Sequence, residues 1–113
     1  MIINISKIED KDRGKLLTIT SGNFSVQILF LFHALERLKT WNLTQEIVTE
    51  TLIHPEEVIM GHRNRFIAHR RYGIHMVRAV YEYEEKTPVL VTVYFPYASR
   101  YFEGGGQYAD KIF

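Results

Sequence analysis

Residues 61 to 83 read GHRNRFIAHRRYGIHMVRAVYEY, and this stretch decides how the rest of the chain is interpreted. Its first part, residues 62 to 78, holds five arginines and three histidines but no aspartate or glutamate. Apolar residues that suit β-strands are interleaved with these cations. Arg65 to Tyr72 alternates, Gly73 marks a turn, and Met76 to Glu84 is again strand-like. The stretch therefore predicts a β-hairpin that presents cations.

Alternation along the first of these strands separates its basic side chains. It places Ile67, His69 and Arg71 on one face and Phe66, Ala68, Arg70 and Tyr72 on the other. Arg70 and Arg71 therefore point in opposite directions, so at most one of them belongs to a given site. His69 and Arg71 are the preferred pair, and Arg78 is their expected partner across the hairpin.

Further strands are predicted on both sides of the hairpin. Val89 to Phe95 (VLVTVYF) is the strongest strand pattern in the chain, and Glu57 to Met60 predicts a short strand. The last three predicted strands form an antiparallel meander. Tyr97 to Gly106 contains three consecutive glycines and predicts a mobile loop, and Gln107 to Phe113 predicts a terminal helical turn.

The N-terminal residues predict a β-hairpin. Residues 1 to 14 predict an exposed edge strand followed by a turn, and Leu16 to Thr20 predicts a β-branched strand. Ser21 to Asn23 is a turn signal. Phe24 to Phe32 is either a strand paired back on the first or the start of a helix, and periodicity does not distinguish the two.

The middle of the chain predicts a helical hairpin. His33 to Trp41 carries apolar residues at spacings of three, and Thr44 is an expected N-cap for a second helix that ends near Ile53. Pro55 stops that helix because the residue before a proline avoids the α region. The predicted fold class is α+β, with an N-terminal β-hairpin and a helical hairpin packed on an antiparallel meander of three or more strands.

Composition limits the function classes. The 113 residues predict one domain spanning residues 1–113, and 46% of them are hydrophobic, enough for a core. The net charge of +1 is too small to imply nucleic acid by itself. Without cysteine, disulfides, thiolate catalysis and cysteine-ligated metals are excluded. The longest apolar run, Val26 to Phe32, is far shorter than the ~20 residues of a membrane span. A cytoplasmic protein without membrane partners is expected.

Cations concentrated in one stretch repel one another unless an anion lies nearby, since protein surfaces usually intersperse charges. The alternative is an ordinary solvated sheet face whose arginines protect an edge. The bound anion would be RNA phosphate, DNA phosphate or the acidic side chains of a partner. The candidate RNA-binding residues are Arg63, Arg65, Arg70, Arg100 and Tyr101.

One reaction suits these residue types without metal, thiol or cofactor, namely cleavage of RNA by its own 2′-OH. It needs a base, an acid and cations that stabilise the charged transition state. The candidate catalytic residues are His69, Arg71, Arg78 and Tyr94. The histidine spacing lacks a zinc signature, so no metal site is predicted. Tyr97, Tyr101 and Phe102 either stack on unpaired bases or pack within the C-terminal loop.

Four phrases of the chain resemble a known group of small prokaryotic proteins. They are FHALERLKTWNLTQEIVTETLIHPEEV at 32–58, RFIAHRRYG at 65–73, VRAVYEYEEKTPVLVTVY at 77–94 and GGGQYADKI at 104–112. The chain resembles a domain-of-unknown-function family near the BrnT and RelE/ParE toxins. The resemblance implies a barnase/EndoU/colicin/RelE-like fold and an endoribonuclease, acting on free or ribosome-bound mRNA, that an antitoxin protein holds silent. It implies site positions at His69, Arg70, Arg71 and Arg78, with Tyr94 as a weaker match.

Two features depart from that group, since the chain is not strongly basic and its first 30 residues exceed the minimal pattern.

Three hypotheses follow. The first is a metal-independent endoribonuclease of the toxin type. The second is a binding module that uses the same face for nucleic acid or an acidic partner without chemistry. The third is a subunit of a symmetric oligomer, such as a homodimer, with Leu16 to Phe32 as the interface.

Overall fold

A single sheet organises the structure, a computed structural model that describes residues 3 to 113. Within the described residues, seven strands pair in the order β1-β2-β3-β7-β6-β5-β4. The strands are β1 (Asn4–Lys11), β2 (Gly14–Ser21), β3 (Phe24–Leu31), β4 (Glu57–Met60), β5 (Phe66–Tyr72), β6 (His75–Glu84) and β7 (Thr87–Tyr94). The helices are α1 (Phe32–Trp41), α2 (Gln45–Ile53) and the single turn α3 (Ala98–Tyr101). The predicted α+β class is confirmed.

The N-terminal strands form an antiparallel meander with β1 at the edge of the sheet. The predicted edge strand is confirmed from Asn4 onward, and the part of that prediction that falls on Met1 and Ile2 lies outside the described residues. The ambiguous apolar run is a strand through Leu31. Gly14 is required where β2 approaches β3, because a Cβ there would lie 1.9 Å from the carbonyl oxygen of Phe30.

The helical hairpin forms as its local signals predict. Thr44 is the N-cap of α2, and its Oγ1 accepts a hydrogen bond from the amide of Ile47 at 3.1 Å. Asn42 ends α1 in the left-handed conformation, where asparagine is tolerated. α1 packs mainly against β7, and α2 packs against β5 and β6. Among the helices of residues 3 to 113, none combines the length and apolar character needed to cross a membrane.

The two halves of the sheet join where β3 pairs with β7 in parallel, with α1 and α2 in the connection between β3 and β4. The N-terminal strands thus extend the predicted meander instead of forming a separate unit. The predicted short strand β4 and the predicted antiparallel meander of β5, β6 and β7 are confirmed, and β4 adds to the meander as an antiparallel neighbour of β5. The core takes fully buried side chains from both halves and both long helices: Leu17, Ile19, Ile28, Phe30, Ala34, Val48, Ala68, Val77, Ala79, Leu90 and Val93.

The C-terminal segment differs from its prediction. Within the loop predicted at residues 97 to 106, Ala98–Tyr101 forms one helical turn. The helical turn predicted for residues 107 to 113 is wrong, because these residues run beside β4. The amide of Val58 donates to the carbonyl of Gln107 at 3.0 Å, and the amide of Ala109 donates to the carbonyl of Val58 at 2.9 Å. The free edge of β4 offers this segment backbone partners that a short isolated helix lacks.

Candidate functional site

Three of the predicted catalytic residues lie side by side on neighbouring strands. His69 on β5 is opposite Arg78 on β6, and Arg78 is opposite Tyr94 on β7. Residues directly opposite one another in antiparallel strands share a face of the sheet. The three side chains therefore form a row across one face. Arg78 lies opposite His69 as predicted, but the prediction that it also partners Arg71 is wrong, because Arg71 lies opposite Met76.

His69 is fully buried and uses both ring nitrogens. Its Nδ1 lies 2.6 Å from Oε2 of Glu57, and its Nε2 lies 3.0 Å from Nη1 of Arg78. Because a guanidinium only donates hydrogen bonds, Nε2 must accept, and Nδ1 must carry the proton and donate it to Glu57. His69 is thus a neutral imidazole between a carboxylate and a cation. It is enclosed behind Arg78 and is not placed to exchange a proton with a bound molecule.

The electrostatics of this chain of three residues agree with its hydrogen bonds. Burial lowers the pKa of His69, the charge of Arg78 lowers it further, and the hydrogen bond to Glu57 opposes both. Burial alone would raise the pKa of Glu57. Hydrogen bonds from His69 and from the amides of Glu103 and Gly104 outweigh burial and lower that pKa below its usual value. At neutral pH, Glu57 is therefore a carboxylate, His69 a neutral imidazole and Arg78 a guanidinium cation.

The residues after β7 cover part of this face. The guanidinium of Arg78 lies 4.4 Å from the centre of the Tyr101 ring, a cation–π contact. Amides of Glu103 and Gly104 each donate to the carboxylate of Glu57 at 2.9 Å. Phe102 lies against Arg71, whose guanidinium carbon is 4.2 Å from the ring centre. Residues 97 to 104 therefore form a wall beside the row.

A concave site, named here the Arg78 cleft, lies between this wall and the end of α1. Its volume is about 520 Å³. Its lining residues are Trp41, His75, Arg78, Tyr94, Phe95, Pro96, Tyr97, Arg100 and Tyr101. Among the described residues, no carboxylate forms a salt bridge with either of its two arginines. The cleft therefore combines uncompensated positive charge with exposed aromatic surface.

The aromatic side chains of the cleft are ordered by one another. The His75 ring stacks between Phe95 and Tyr97, with ring centres 4.9 Å and 4.7 Å away. Trp41 donates from Nε1 to the carbonyl of Val93 at 3.2 Å, which ties the end of α1 to β7. Tyr97 is 54% exposed, so the cleft presents ring surface to solvent. Such surface is suited to stacking on planar ligands.

A second groove, named here the turn groove, adjoins the cleft at Tyr94. Its volume is about 410 Å³, and it is lined by Gly61, His62, Arg63, Arg65, Ile67, Val80, Thr92 and Tyr94. Arg65 pairs with Glu82 at 3.0 Å. Arg63 is exposed at the tip of the turn between β4 and β5, in the left-handed region with φ of 59°. Two basic recesses thus meet at one tyrosine.

The basic stretch contains no carboxylate of its own in residues 62 to 78, yet Arg65, Arg70 and Arg71, as well as His69, have carboxylate partners from outside that range. Arg65 pairs with Glu82, and Arg71 binds Glu56 through Nε at 3.3 Å and Nη2 at 2.8 Å. The Glu56 and Glu50 carboxylates come from segments before the basic stretch, so charge counts within that stretch did not include them. Arg71 lies outside the Arg78 cleft.

Arg70 lies on the other face of β5, as alternation predicts. Its Nη1 donates to the carbonyl of His54 at 2.7 Å, and its Nε lies 3.4 Å from Glu50 of α2. Arg70 therefore anchors α2 and does not share a site with Arg78. The predicted RNA-binding residues Arg100 and Tyr101 do join Arg78 and Tyr94 in one cleft.

Sequence patterns missed three residues of the site. His75 lines the cleft, whereas the sequence pattern offered for it only a histidine spacing that does not fit a zinc site. Trp41 was assigned to a helix face, and Glu57 to an ordinary strand. A charged residue at an inward position of a short strand is a recognisable signal, since a buried carboxylate needs a partner. That signal identifies Glu57 but not which side chain it binds.

One family model matches this chain. Residues 30 to 95, which are 66 of the 113 residues, match the family described as a domain of unknown function, DUF4258. The chain belongs to this family. The matched range contains His69, Arg78 and Tyr94 but not the wall that carries Arg100 and Tyr101. Comparisons with curated proteins and with solved structures give no match.

Proposed function

We propose that this DUF4258 protein is a metal-independent endoribonuclease of the toxin type, which binds single-stranded RNA in the Arg78 cleft. The observation that carries the proposal is the composition of that cleft. Arg78 and Arg100 have no salt-bridge partner among residues 3 to 113, and they share a concave site with Tyr94, Tyr97 and Tyr101. Cations that track phosphates and aromatic rings that stack on bases are the two components of single-strand binding.

The cleft favours an unpaired strand over a duplex. Bases in a duplex are already stacked on one another, whereas Tyr97 and Tyr101 need free base faces. Tyr97 is 54% and Tyr101 is 42% exposed, so both rings are accessible. One phosphate between Arg78 and Arg100 would place its flanking bases near these rings.

The turn groove extends the same binding surface. It meets the cleft at Tyr94 and carries His62 and Arg63 at its rim. A strand that crosses Tyr94 would hold a second phosphate near Arg63. The proposal therefore includes an RNA segment of several nucleotides instead of a mononucleotide.

The chemistry assigned to the cleft is transesterification by the 2′-OH. A base removes the 2′ proton, the 2′ oxygen forms a bond to phosphorus, and the bond from phosphorus to the 5′ oxygen breaks. The 5′ oxygen takes a proton from an acid, and the other product ends in a 2′,3′-cyclic phosphate. His75 and Tyr94 line the cleft and are the assigned proton-transfer groups. Arg78 and Arg100 stabilise the added negative charge in the transition state.

The partner assignments rest on the resemblance to the BrnT and RelE/ParE toxins. We propose a ribosome-bound mRNA as the physiological substrate and an acidic antitoxin as the inhibitor. Carboxylates of such an antitoxin would pair with Arg78, Arg100 and Arg63, which have none within the described residues. Inhibitor and RNA would then compete for the same cations.

A second candidate function is RNA binding without cleavage. It is favoured by the burial of His69, since both nitrogens of that predicted proton-transfer group are occupied by Glu57 and Arg78. His75 is then the single histidine that lines the cleft, with its ring between two aromatic neighbours. This candidate predicts the same affinity for RNA but no product.

A cleavage assay separates the two candidates. A single-stranded RNA labelled at its 5′ end is incubated with the protein, with and without EDTA. The endoribonuclease predicts fragments that end in 2′,3′-cyclic phosphate in both conditions, and the joint change Arg78→Ala and Arg100→Ala removes them. Lys86→Ala, at the exposed β6–β7 turn, removes one positive charge away from the cleft and should leave cleavage unchanged. Binding without fragments supports the second candidate, and the absence of both binding and fragments contradicts both.

A further inference from the structure

We propose that Glu57 and His69 are positioning residues that hold the guanidinium of Arg78 in a fixed orientation for phosphate binding. That the bound group is a phosphate rests on the proposed function. The positioning itself rests on the hydrogen bonds of the three side chains, with 2.6 Å between Glu57 and His69 and 3.0 Å between His69 and Arg78.

A neutral acceptor holds an arginine without using its charge. The carboxylates of Glu56 and Glu82 neutralise Arg71 and Arg65 and would compete with an incoming phosphate. The imidazole of His69 accepts one hydrogen bond from Arg78 and adds no negative charge. The other guanidinium N–H groups remain available for a forked contact with phosphate. His69 therefore orients Arg78 and leaves its charge available to the cleft.

Glu57 explains why His69 presents Nε2 as an acceptor. A neutral histidine carries its proton on one ring nitrogen and can accept a hydrogen bond on the other. A carboxylate beside Nδ1 keeps the proton there, so Nε2 is the acceptor. Arg78 and Glu103 are the other charged groups that face His69, from β6 and from the C-terminal wall. Glu57 is 0% exposed, so it needs full hydrogen bonding to be tolerated inside the protein.

Glu57 meets that need by holding the wall as well as His69. The amides of Glu103 and Gly104 donate to its two carboxylate oxygens at 2.9 Å each. This wall carries Tyr101, whose ring lies against Arg78. Glu57 thereby fixes both sides of the Arg78 guanidinium, one through His69 and the other through Tyr101.

Two amides at position 69 separate positioning from general stability. The carboxamide of His69→Gln ends near the place of Nε2 and accepts from Arg78, whereas that of the shorter His69→Asn ends near Nδ1 and reaches only Glu57. Both variants keep a neutral carboxamide, and they differ in length by one methylene group. A purely structural role predicts similar effects of the two, and a positioning role predicts that only His69→Asn releases Arg78.

The first readout needs no RNA. In ¹⁵N NMR spectra, the wild-type protein and His69→Gln should show separate resonances for the two Nη atoms of Arg78, because the bound guanidinium rotates slowly. These resonances are assigned by their loss in Arg78→Ala. His69→Asn should show averaged resonances. Restrained resonances in a folded His69→Asn protein would overturn the proposal. Should His69→Asn not fold, His69→Leu, which offers Arg78 no hydrogen-bond acceptor, is measured in the same way, and Arg78 resonances that stay separate there would overturn the proposal too.

The second readout is affinity for a 2′-O-methyl RNA, which cannot be cleaved through its 2′ position. His69→Asn should weaken binding by about tenfold, and in an Arg78→Ala background it should cause no further loss. Losses that add in the double variant would overturn the proposal, since His69 would then not act through Arg78. A wild-type protein with a restrained Arg78 that binds no RNA would contradict the proposed function and leave the positioning supported.

Discussion

Nη1 of Arg78 lies 3.0 Å from Nε2 of His69, so this arginine is held by a neutral ring where its neighbours are held by carboxylates. Arg71 is bound by Glu56, and Arg65 by Glu82. The arginines of the basic stretch thus have two kinds of partner, a carboxylate or a neutral imidazole. The arginines bound to carboxylates connect segments of the fold, whereas Arg78 lines the cleft with its charge unpaired by a carboxylate.

Removing Arg78 should weaken RNA binding more than removing an arginine elsewhere. For Arg78→Ala we expect a lower affinity for single-stranded RNA, and the slope of log affinity against log salt should fall in magnitude by about 0.7, the value for one phosphate contact. Arg13→Ala is the matched control, because Arg13 is exposed and pairs with Glu84 away from the cleft. Fluorescence anisotropy titrations at several salt concentrations measure both quantities. Equal salt slopes for the two variants would exclude a phosphate contact at Arg78.

Stability should fall as the pH decreases from 7 to 5, with His69 as a contributor. Its pKa in the folded protein is lowered below its ordinary value of 6.5, so the unfolded chain binds a proton that the folded protein rejects. The stabilisation is therefore complete above pH 6.5 and declines as the pH falls through and below that value. Urea unfolding at a series of pH values should show a smaller decline for His69→Gln than for the wild type.

Two other groups test the origin of that decline. His62→Gln replaces an exposed histidine that lines the turn groove, and it is the control for the exchange of a histidine for a glutamine. The pKa of Glu57 is lowered below its ordinary value of 4.5, so its contribution to stability is present above that pH and is lost at more acid pH. A decline that is the same in His69→Gln and in the wild type would show that His69 titrates freely.

The approach of β2 to β3 should make Gly14 intolerant of any side chain. A Cβ at this position would lie 1.9 Å from the carbonyl oxygen of Phe30, a backbone atom that moves only if the strands separate. Gly14→Ala should lower the free energy of unfolding by about 1–3 kcal/mol or more. At Gly105 a Cβ meets nothing within 4 Å, so Gly105→Ala is the control and should change stability little. Urea denaturation of both variants checks the contrast.

The end of the chain should stabilise the fold through Asp110. The hydroxyls of Tyr81 and Tyr83 donate to its Oδ2 at 2.7 Å and 2.6 Å. Burial and these hydrogen bonds raise the pKa of both tyrosines. Asp110→Ala leaves two largely enclosed hydroxyls without their acceptor and should cost about 1–3 kcal/mol of unfolding free energy. Asp12→Ala, at the exposed β1–β2 turn, should lower the unfolding free energy much less. Thermal unfolding of both variants measures the difference.

Local signals predicted most of the fold. Thr44 as a helix cap, Pro55 as a helix stop and the turn at Gly73 each act on neighbouring residues, and each element they delimit is present. The turn between β5 and β6 spans two residues, which sets the register that brings His69 opposite Arg78. Residues 107 to 113 were predicted wrongly because their hydrogen-bond partner, β4, is distant in sequence.

The site was predictable where it depends on strand register and not where it depends on chain packing. Alternation placed Arg70 and Arg71 on opposite faces, but it did not provide their carboxylates Glu50 and Glu56, which lie far away in sequence. The burial of His69 depends on residues 101 to 104 closing over Glu57, and no local pattern encodes that contact. His69 therefore has the expected neighbour, Arg78, in a setting that the sequence did not indicate.

Single-stranded RNA is proposed to lie in the Arg78 cleft. The direct measurement is photochemical crosslinking of a 2′-O-methyl oligonucleotide that carries 5-iodouridine, followed by mass spectrometry of the crosslinked peptides. RNA bound in the cleft should give crosslinks at Tyr94, Tyr97 and Tyr101, which line it, and these should be lost when Arg78 and Arg100 are both replaced by alanine. Crosslinks confined to exposed aromatic residues elsewhere, such as Phe24, or crosslinks that persist in the double variant, would contradict it.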